Sequence, residues 1–275
     1  MLLRLLLASS GAVFWRMNAG AGDTVVAPIH QALERRGVAI EFFHVLRSVE
    51  VDPDSKQVLA IEFGVQATVA VTAPDGRYSP LVDLDGLEVW PTTPRYDQLV
   101  QGAELQQQGV DLESAWNDWP DVSTLRLERG RDFDTLVLGL PPSCLPMVAP
   151  DVLASSAPLR AAVDAIPTVA TQGVQLWMNP TSGDLGAAQP ATIATAFAPP
   201  IDTWADMSHL LAAEHWTPGD PPESLQYLCG VLPAAPAGPP VPDPSIPAAV
   251  HDRAGDDLRR WLDQHGATLW PAAAD

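Results

Sequence analysis

The chain has 275 residues, of which 47% are hydrophobic and 18% charged, a balance typical of a globular protein with a sizeable core. Its formal net charge of −19 argues against nucleic-acid binding and against electrostatic attachment to anionic lipid, because an acidic surface repels phosphate groups. Two cysteines, Cys144 and Cys229, exclude a disulfide scaffold, and neither belongs to a metal-ligand spacing.

The first ten residues have two interpretations. One arginine within a short apolar run, followed by small residues, fits a secretory signal peptide loosely. The charge lies inside the apolar run, however, and the run is too short to span a membrane. We favour the tail of an amphipathic helix whose beginning lies outside the sequence, and we therefore expect a cytoplasmic protein with no membrane span.

The stretch from Gly11 to Val49 predicts a strand, a glycine loop, a helix and a second strand. An apolar run of strand type ends at Asn18-Ala-Gly-Ala-Gly22. Asp23 suits the N-cap of the helix that follows, and Gly37 suits the C′ position at its end. The β-branched and aromatic run from Val38 to Val51 then predicts a strand. The apolar face of the helix comprises Val25, Ile29, Ala32 and Leu33.

Further strands follow in the first half of the chain. Gln57 to Phe63 and Gln66 to Thr72 suggest a meander that ends at the turn Pro74-Asp-Gly76. An irregular insertion at about 74–124 carries tryptophans and a short helix near Tyr96 to Gln107. The nearly all-apolar run from Phe133 to Leu140 is typical of a strand buried on both faces.

The second half predicts a sheet with helices. Thr168 to Asn179 alternates as a half-buried antiparallel strand does, with Val174, Leu176 and Met178 on one face and Gln175 and Trp177 on the other. The other predicted elements are a helix at Pro158 to Ile166, strands at Ile193 to Phe197 and Leu225 to Leu232, a helix near Trp204 to Glu214, a proline-rich linker at 233–247 and a final helix from Val250 to His265 that Gly266 ends.

No motif for a cofactor or metal is complete. Gly20-Ala-Gly22 before a helix could approach a pyrophosphate, but Val25 stands where the third glycine of G-x-G-x-x-G belongs. No acidic residue lies at 46–49, where a ribose would need one. His209 and His215 are six residues apart and do not share a helical face, so we predict no metal site.

Two sequence blocks in the first half nevertheless resemble a known family. Ala19 to Val38, followed by Phe42-Phe-His44, resembles the internal glycine-rich helix and strand of FAD-dependent oxidoreductases, the amine oxidase and phytoene desaturase-like flavoproteins. The resemblance covers roughly Gly11 to Pro271. It continues through Tyr96 to Val100, Asp111 to Ser114, Asp132 to Leu140, Thr171 to Trp177 and Asp202 to His209.

The resemblance implies a mixed α/β (α+β) fold in two domains. Residues 1–142 would form a partial FAD-binding, Rossmann-like domain with the insertion at about 74–124. Residues 143–275 would form a substrate-binding domain, a mixed sheet with helices on one side. The family's N-terminal dinucleotide fingerprint and its C-terminal flavin-seating segment have no counterpart here. The resemblance therefore implies an internal fragment: a truncated gene product, a split open reading frame or a diverged remnant.

The cofactor implied is FAD, and the backbone near Val45 and Leu46 would meet its adenine. Such enzymes let the flavin take a hydride while the protein orients the substrate. An apolar wall around Gln175 and Trp177 suits a small apolar or amine substrate. No catalytic residue can be named. Two alternatives stay open: a non-catalytic secreted module with tryptophans lining a ligand groove, and an accessory subunit that completes a flavin site with a partner chain.

We expect the purified chain to be colourless. The glycine turn that cradles a dinucleotide phosphate supplies backbone N–H groups, and nothing in this sequence replaces them. The visible absorbance spectrum of the purified protein tests this expectation. A yellow preparation with stoichiometric bound flavin would contradict it.

Overall fold

The computed structural model describes residues 16–114, 116–187, 192–214, 216, 219, 221–232 and 245–273. It has the mixed α/β character that the sequence predicts, with helices packed on antiparallel sheets. All the strand pairings within its sheets are antiparallel. Within the described ranges, none of the helices combines the length and the apolar character that crossing a bilayer requires.

The first helix begins in an irregular way. A π-helical turn, Gly22–Val26, runs into α1, Ala27–Glu34. Asp23 is not the predicted N-cap, since it lies inside the turn. Gly37 does close the helix: its φ is +80°, its N–H donates to the Glu34 carbonyl, and the next N–H donates to the Leu33 carbonyl. This pair of bonds confirms Gly37 as the C′ residue.

The predicted apolar face of α1 is not its buried face. Ala27 and His30 are the buried residues, whereas Val25, Ile29 and Leu33 are exposed. Of the strand predicted before the helix, residues 11–15 lie outside the described part of the chain, and Arg16 and Met17 are not in a strand. The periodicity of an isolated helix indicates which residues share a face but not which face meets a neighbour.

A three-stranded antiparallel sheet organises the first half of the chain. Its strands are β1 (His44–Val51), β2 (Val58–Val65) and β5 (Ser123–Glu128), in the order β1-β2-β5. The Asp52 carboxylate closes the turn between β1 and β2 by accepting two backbone N–H groups. The strand predicted at Gln57 to Phe63 is therefore present as β2, but the predicted meander is not, because the third strand of the sheet comes from much later in the chain.

A long excursion separates β2 from β5. It contains the hairpin β3 (Val82–Leu84) and β4 (Leu87–Val89), and helix α2 (Gly102–Gln108). The strand predicted at Gln66 to Thr72 is wrong, because this stretch makes only one bridge, between Val69 and Leu99. Short 3₁₀ turns lie at Pro74–Gly76 and Tyr96–Gln98.

The run from Phe133 to Leu140 is not the predicted strand buried on both faces. It is extended, and only Phe133 makes a bridge, to Arg129. Leu136 and Leu138 pack against the core of the first sheet, whereas Val137 is 86% exposed. Helices α3 (Leu145–Val148), α4 (Pro150–Ser155) and α5 (Ala157–Ala165) follow, after a 3₁₀ turn at Pro142–Cys144.

A four-stranded antiparallel sheet and a long helix organise the second half of the chain. The elements are β6 (Thr171–Met178), β7 (Ile193–Ala194), β8 (Thr203–Asp206), β9 (Ser224–Val231) and α6 (Ser245–Leu269). The strand order is β6-β9-β8-β7, and α6 covers one face, where Trp261 packs with Trp204 and Leu228. The predicted alternation in β6 is confirmed, since Val174, Leu176 and Met178 pack into this core while Trp177 is 49% exposed on the opposite face.

Three boundaries in this half differ from the predictions. The helix predicted near Trp204 to Glu214 is instead β8 followed by a 3₁₀ helix, Ser208–Ala213. Most of the predicted linker, 233–244, lies outside the described residues, and α6 already begins at Ser245. Gly266 does not end this helix, which continues to Leu269, because Trp270 and Leu269 pack into the same core.

Two helical glycines give opposite expectations for alanine substitution. A Cβ at Gly102, the first residue of α2, would lie 1.9 Å from the Tyr96 carbonyl oxygen, whereas a Cβ at Gly255 in α6 would come no closer than 3.7 Å to the Arg259 side chain. We expect G102A to lower the free energy of unfolding by about 1–3 kcal/mol, because the backbone at Tyr96 or Gly102 must move to make room for the added methyl group. G255A should raise it by ~0.5–1 kcal/mol. Urea unfolding of both variants checks this, and stabilisation by G102A would contradict the tight contact.

Candidate functional site

An aromatic cleft of about 530 Å³ lies between the start of β1 and the excursion before β5. Its volume is within the range of small-molecule sites. The principal lining residues are Phe42, Phe43, His44, Tyr78, Trp90 and Tyr96. We call this feature the aromatic cleft.

The rings of the cleft pack edge to face. The Tyr78 ring centroid lies 4.8 Å from that of Phe43 and 5.2 Å from that of Phe42, with interplanar angles of 78° and 61°. Behind them, His30 is buried between Phe42 and Trp90, with its Nε2 3.4 Å from the Glu34 carboxylate. Such aromatic pairs add about 0.5–1.5 kcal/mol each beyond the burial of area, so they fix the cleft wall.

The left-handed backbone conformation of Phe43 brings two consecutive aromatic rings into the same wall of the cleft. Phe43 has φ +61°, which is rare for a bulky side chain. The Gln66 N–H donates to the Phe43 carbonyl at 2.7 Å and holds this conformation. In a regular strand, adjacent side chains point to opposite faces. The turn of the backbone at Phe43 removes this alternation, so that Phe42 and Phe43 both line the cleft.

The glycine loop anchors the cleft and does not form an open phosphate site. The carbonyl of Gly20 accepts the N–H groups of Asp23 and Thr24, which are thereby used within the turn. The Asp23 carboxylate accepts the backbone N–H of Trp90 at 3.0 Å, and the Gly22 carbonyl accepts its indole N–H at 3.1 Å. The loop therefore holds Trp90, one wall of the cleft, from the far side.

Polar contacts fix the remaining walls. The Tyr78 hydroxyl accepts the Arg95 N–H at 2.8 Å, and burial raises the pKa of Tyr78 above its ordinary value. Gln66 is buried, and its amide donates to the Leu112 carbonyl at 3.1 Å. His44 Nδ1 is bonded to the Phe42 carbonyl; since a carbonyl only accepts, Nδ1 carries the proton.

The charges at the cleft are negative. Asp111 and Glu113 stand in its lining, and both side chains are exposed at the rim. The lining residues that the structure describes include no lysine or arginine. Arg95 is the neighbour of two lining residues, but its guanidinium lies 3.5 Å from the Asp97 carboxylate.

The predicted adenine contacts, Val45 and Leu46, lie on β1 next to the cleft and do not line it. In the described part of the chain, β1 pairs only with β2, and Val45 stands opposite Gly64. The Gln66 N–H donates to the Phe43 carbonyl across the two strands. Hydrogen-bonded and non-hydrogen-bonded residue pairs alternate along an antiparallel ladder, so Val45 and Gly64 form the next hydrogen-bonded pair. The backbone N–H and C=O of Leu46 therefore point to the open edge, while its side chain packs into the core.

The other residues singled out in the sequence are not brought together. Gln175 and Trp177 lie on the second sheet, on the face opposite α6. His209 Nε2 lies 3.0 Å from the Met17 carbonyl, and His215 is outside the described residues. In those residues, no group of three or more His, Cys, Asp or Glu side chains could hold a metal ion. Cys144 and Cys229 are free thiols, and both are half-buried.

No protein-family model, curated protein or solved structure matches this chain. The sequence alone does not reveal the cleft, because its described walls come from five separated segments. Only the high tryptophan count, nine in the chain, hinted at a ligand cavity.

The Asp23 contact predicts a specific loss of stability. D23A would leave the half-buried Trp90 N–H without its acceptor, at a cost of about 1 kcal/mol in the free energy of unfolding. D23N keeps a carbonyl acceptor at the same place, so its free energy of unfolding should fall much less. Urea unfolding of the two variants separates the hydrogen bond from the charge. Equal losses would show that the charge, not the acceptor, matters.

Proposed function

We propose that this chain is part of a flavin-dependent oxidoreductase of the amine oxidase or desaturase type, which transfers a hydride from an apolar or amine substrate to FAD. The proposal starts from the sequence resemblance. The structural observation that supports it most directly is the open edge of β1 at Leu46. A strand edge offers a C=O acceptor beside N–H donors, and adenine offers an amino donor beside a ring-nitrogen acceptor.

The division of the chain into two sheets also supports this function. The first sheet would carry the adenine edge, and the open face of β6, with Gln175 and Trp177, would form the substrate wall. Helix α6 covers the other face of that sheet, as the resemblance implies for a substrate domain. Free thiols at Cys144 and Cys229 agree with a cytoplasmic location, where cysteines stay reduced.

Exposed apolar surface in the first half supports a partner for the flavin site. Val137, in the extended run after β5, and Ile29, on α1, are 86% and 52% exposed. A partner chain that supplies the phosphate-binding turn would cover these side chains and pair with the extended run. The hydride step itself would be the chemistry of the bound flavin, and no residue of this chain is assigned to it.

The aromatic cleft favours a second candidate, a non-catalytic ligand-binding module. The residues that the structure describes by themselves supply an aromatic lining, so a ligand could bind there without a partner or a flavin. The two candidates make different demands on β1: the flavoenzyme needs the open edge at Leu46, and the binding module does not.

Adenine recognition at Leu46 can be tested with nucleotides alone. Titration with AMP and GMP, followed by backbone amide NMR shifts, should give AMP about tenfold the affinity of GMP, because guanine reverses the donor and acceptor positions. L46P removes the outward N–H and should abolish the preference. L46A loses the same side chain but keeps the N–H, and should retain it. Equal binding of AMP and GMP, or AMP shifts that L46P leaves unchanged, would refute the adenine edge.

A further inference from the structure

We propose that the aromatic cleft binds an organic cation, a quaternary or tertiary ammonium group on a small apolar body. The inference does not rest on the flavin proposal, since neither Val45 nor Leu46 lines the cleft. It rests on three features of the cleft: the arrangement of its rings, the sign of its charges and the acceptors in its wall.

The rings are arranged as the corners of a cage. The planes of Phe42 and Phe43 meet that of Tyr78 at 61° and 78°, so these rings are steeply inclined to one another. Trp90 and Tyr96 also line the cleft. An alkylated ammonium group in the cleft would meet aromatic rings of several orientations, and each ring face that is open to the cleft would attract it through the ring quadrupole.

The charges select a cation over an anion. Asp111 and Glu113 are the charged side chains of the lining, and both are acidic. The chain carries a formal net charge of −19, which attracts cations toward the cleft over longer distances. A phosphate or carboxylate would meet repulsion at the rim, and no described lining residue supplies a compensating charge.

The neutral polar groups of the wall also fit a cation. His44 carries its proton on Nδ1, where it is bonded to the Phe42 carbonyl. In the neutral ring, Nε2 is then an acceptor. Nε2 can accept the N–H of a tertiary ammonium group, whereas a quaternary group such as that of choline has no N–H and interacts with the ring faces and the rim carboxylates. The volume of about 530 Å³ leaves room for the group and a small body beside it.

A matched pair of probes tests the role of the charge. Choline and 3,3-dimethylbutan-1-ol have nearly the same shape, but only choline is charged. Calorimetric titration of the full chain should give choline at least about tenfold higher affinity, the size of a cation–π contribution near 1.4 kcal/mol. The indole N–H resonance of Trp90, assigned with W90F, should shift on binding. Equal affinities, no binding of either probe, or an unmoved Trp90 resonance would overturn the proposal.

Two variants locate the effect. D111N/E113Q removes both rim charges and keeps the Asp111 side-chain oxygen that accepts the Glu113 N–H at 2.9 Å, so the loop should remain folded. Choline affinity should fall about tenfold, while that of the neutral alcohol stays unchanged. The control D54N/E104Q removes two exposed charges outside the cleft and should leave both affinities unchanged. An equal loss of choline affinity in the control would show that binding depends on the overall charge of the protein, and it would overturn the proposed site.

Removal of one ring tests the cage itself. F42L keeps an apolar side chain of similar size in the wall but has no ring face. We expect F42L to weaken choline binding several-fold and to leave the alcohol unaffected. Thermal unfolding of the same sample shows whether the variant is folded. A folded F42L protein with unchanged choline affinity would exclude Phe42 from the site, and with it the cage.

Discussion

The hydrogen bond from the Gln66 N–H to the Phe43 carbonyl is the constraint on which both proposed sites depend. It holds Phe43 in the left-handed region, and so it directs two consecutive rings into one wall. It also sets the phase of the β1–β2 ladder, which turns the backbone of Leu46 outward. Gln66 joins the excursion to the same point, because its side chain donates to the Leu112 carbonyl and its own carbonyl accepts the Trp119 indole N–H.

Local signals in the sequence predicted local structure well. Gly37 ends α1 because only the backbone conformation of one turn is involved, and β6 alternates because one face of its sheet is covered by α6 while the other is open. Signals that depend on a distant partner were misread. Asp23 has the composition of an N-cap, but its carboxylate holds Trp90, which is 67 positions later in the chain. Such a choice between local and distant acceptors cannot be read from spacing alone.

Dependence on a distant partner also explains why the sequence predicts a strand at Phe133 to Leu140 and not at β5. Its sequence, Ser-Thr-Leu-Arg-Leu-Glu, has four polar residues out of six and carries a weak strand signal, whereas Phe133 to Leu140 is almost wholly apolar. β5 becomes a strand because it pairs with β2 and because Arg126 forms two hydrogen bonds with Glu50 across the sheet. The apolar run has no such neighbour among the described residues. Pairing, not hydrophobicity, decided which segment joined the sheet.

A satisfied indole N–H does not by itself decide whether a tryptophan lies in the core or lines a cleft. In the second half, Trp204 donates to the Gln226 side chain at 2.8 Å and Trp261 to the Ala198 carbonyl at 2.9 Å, so both are satisfied core residues. Trp90 also has its N–H satisfied, by Gly22, yet its ring lines a cleft. A tryptophan whose N–H is bound from behind leaves its ring available to a ligand. Composition gives the number of tryptophans but not this distinction.

The charged side chains near the two proposed sites distinguish the two proposed ligands, FAD and an organic cation. FAD carries two phosphates, and the arginines of the first sheet are already paired: Arg47 with Asp121 and Arg126 with Glu50. The hydrogen bonds that Arg126 donates to the Glu50 carboxylate raise the pKa of Arg126, so its charge is already paired. The acidic rim of the aromatic cleft repels phosphate in the same way. Leu46 can therefore contribute hydrogen bonds to an adenine but the sheet contributes little to a pyrophosphate. A flavin at this edge requires backbone N–H groups from another segment, whereas an ammonium ligand in the cleft requires nothing beyond the residues already there.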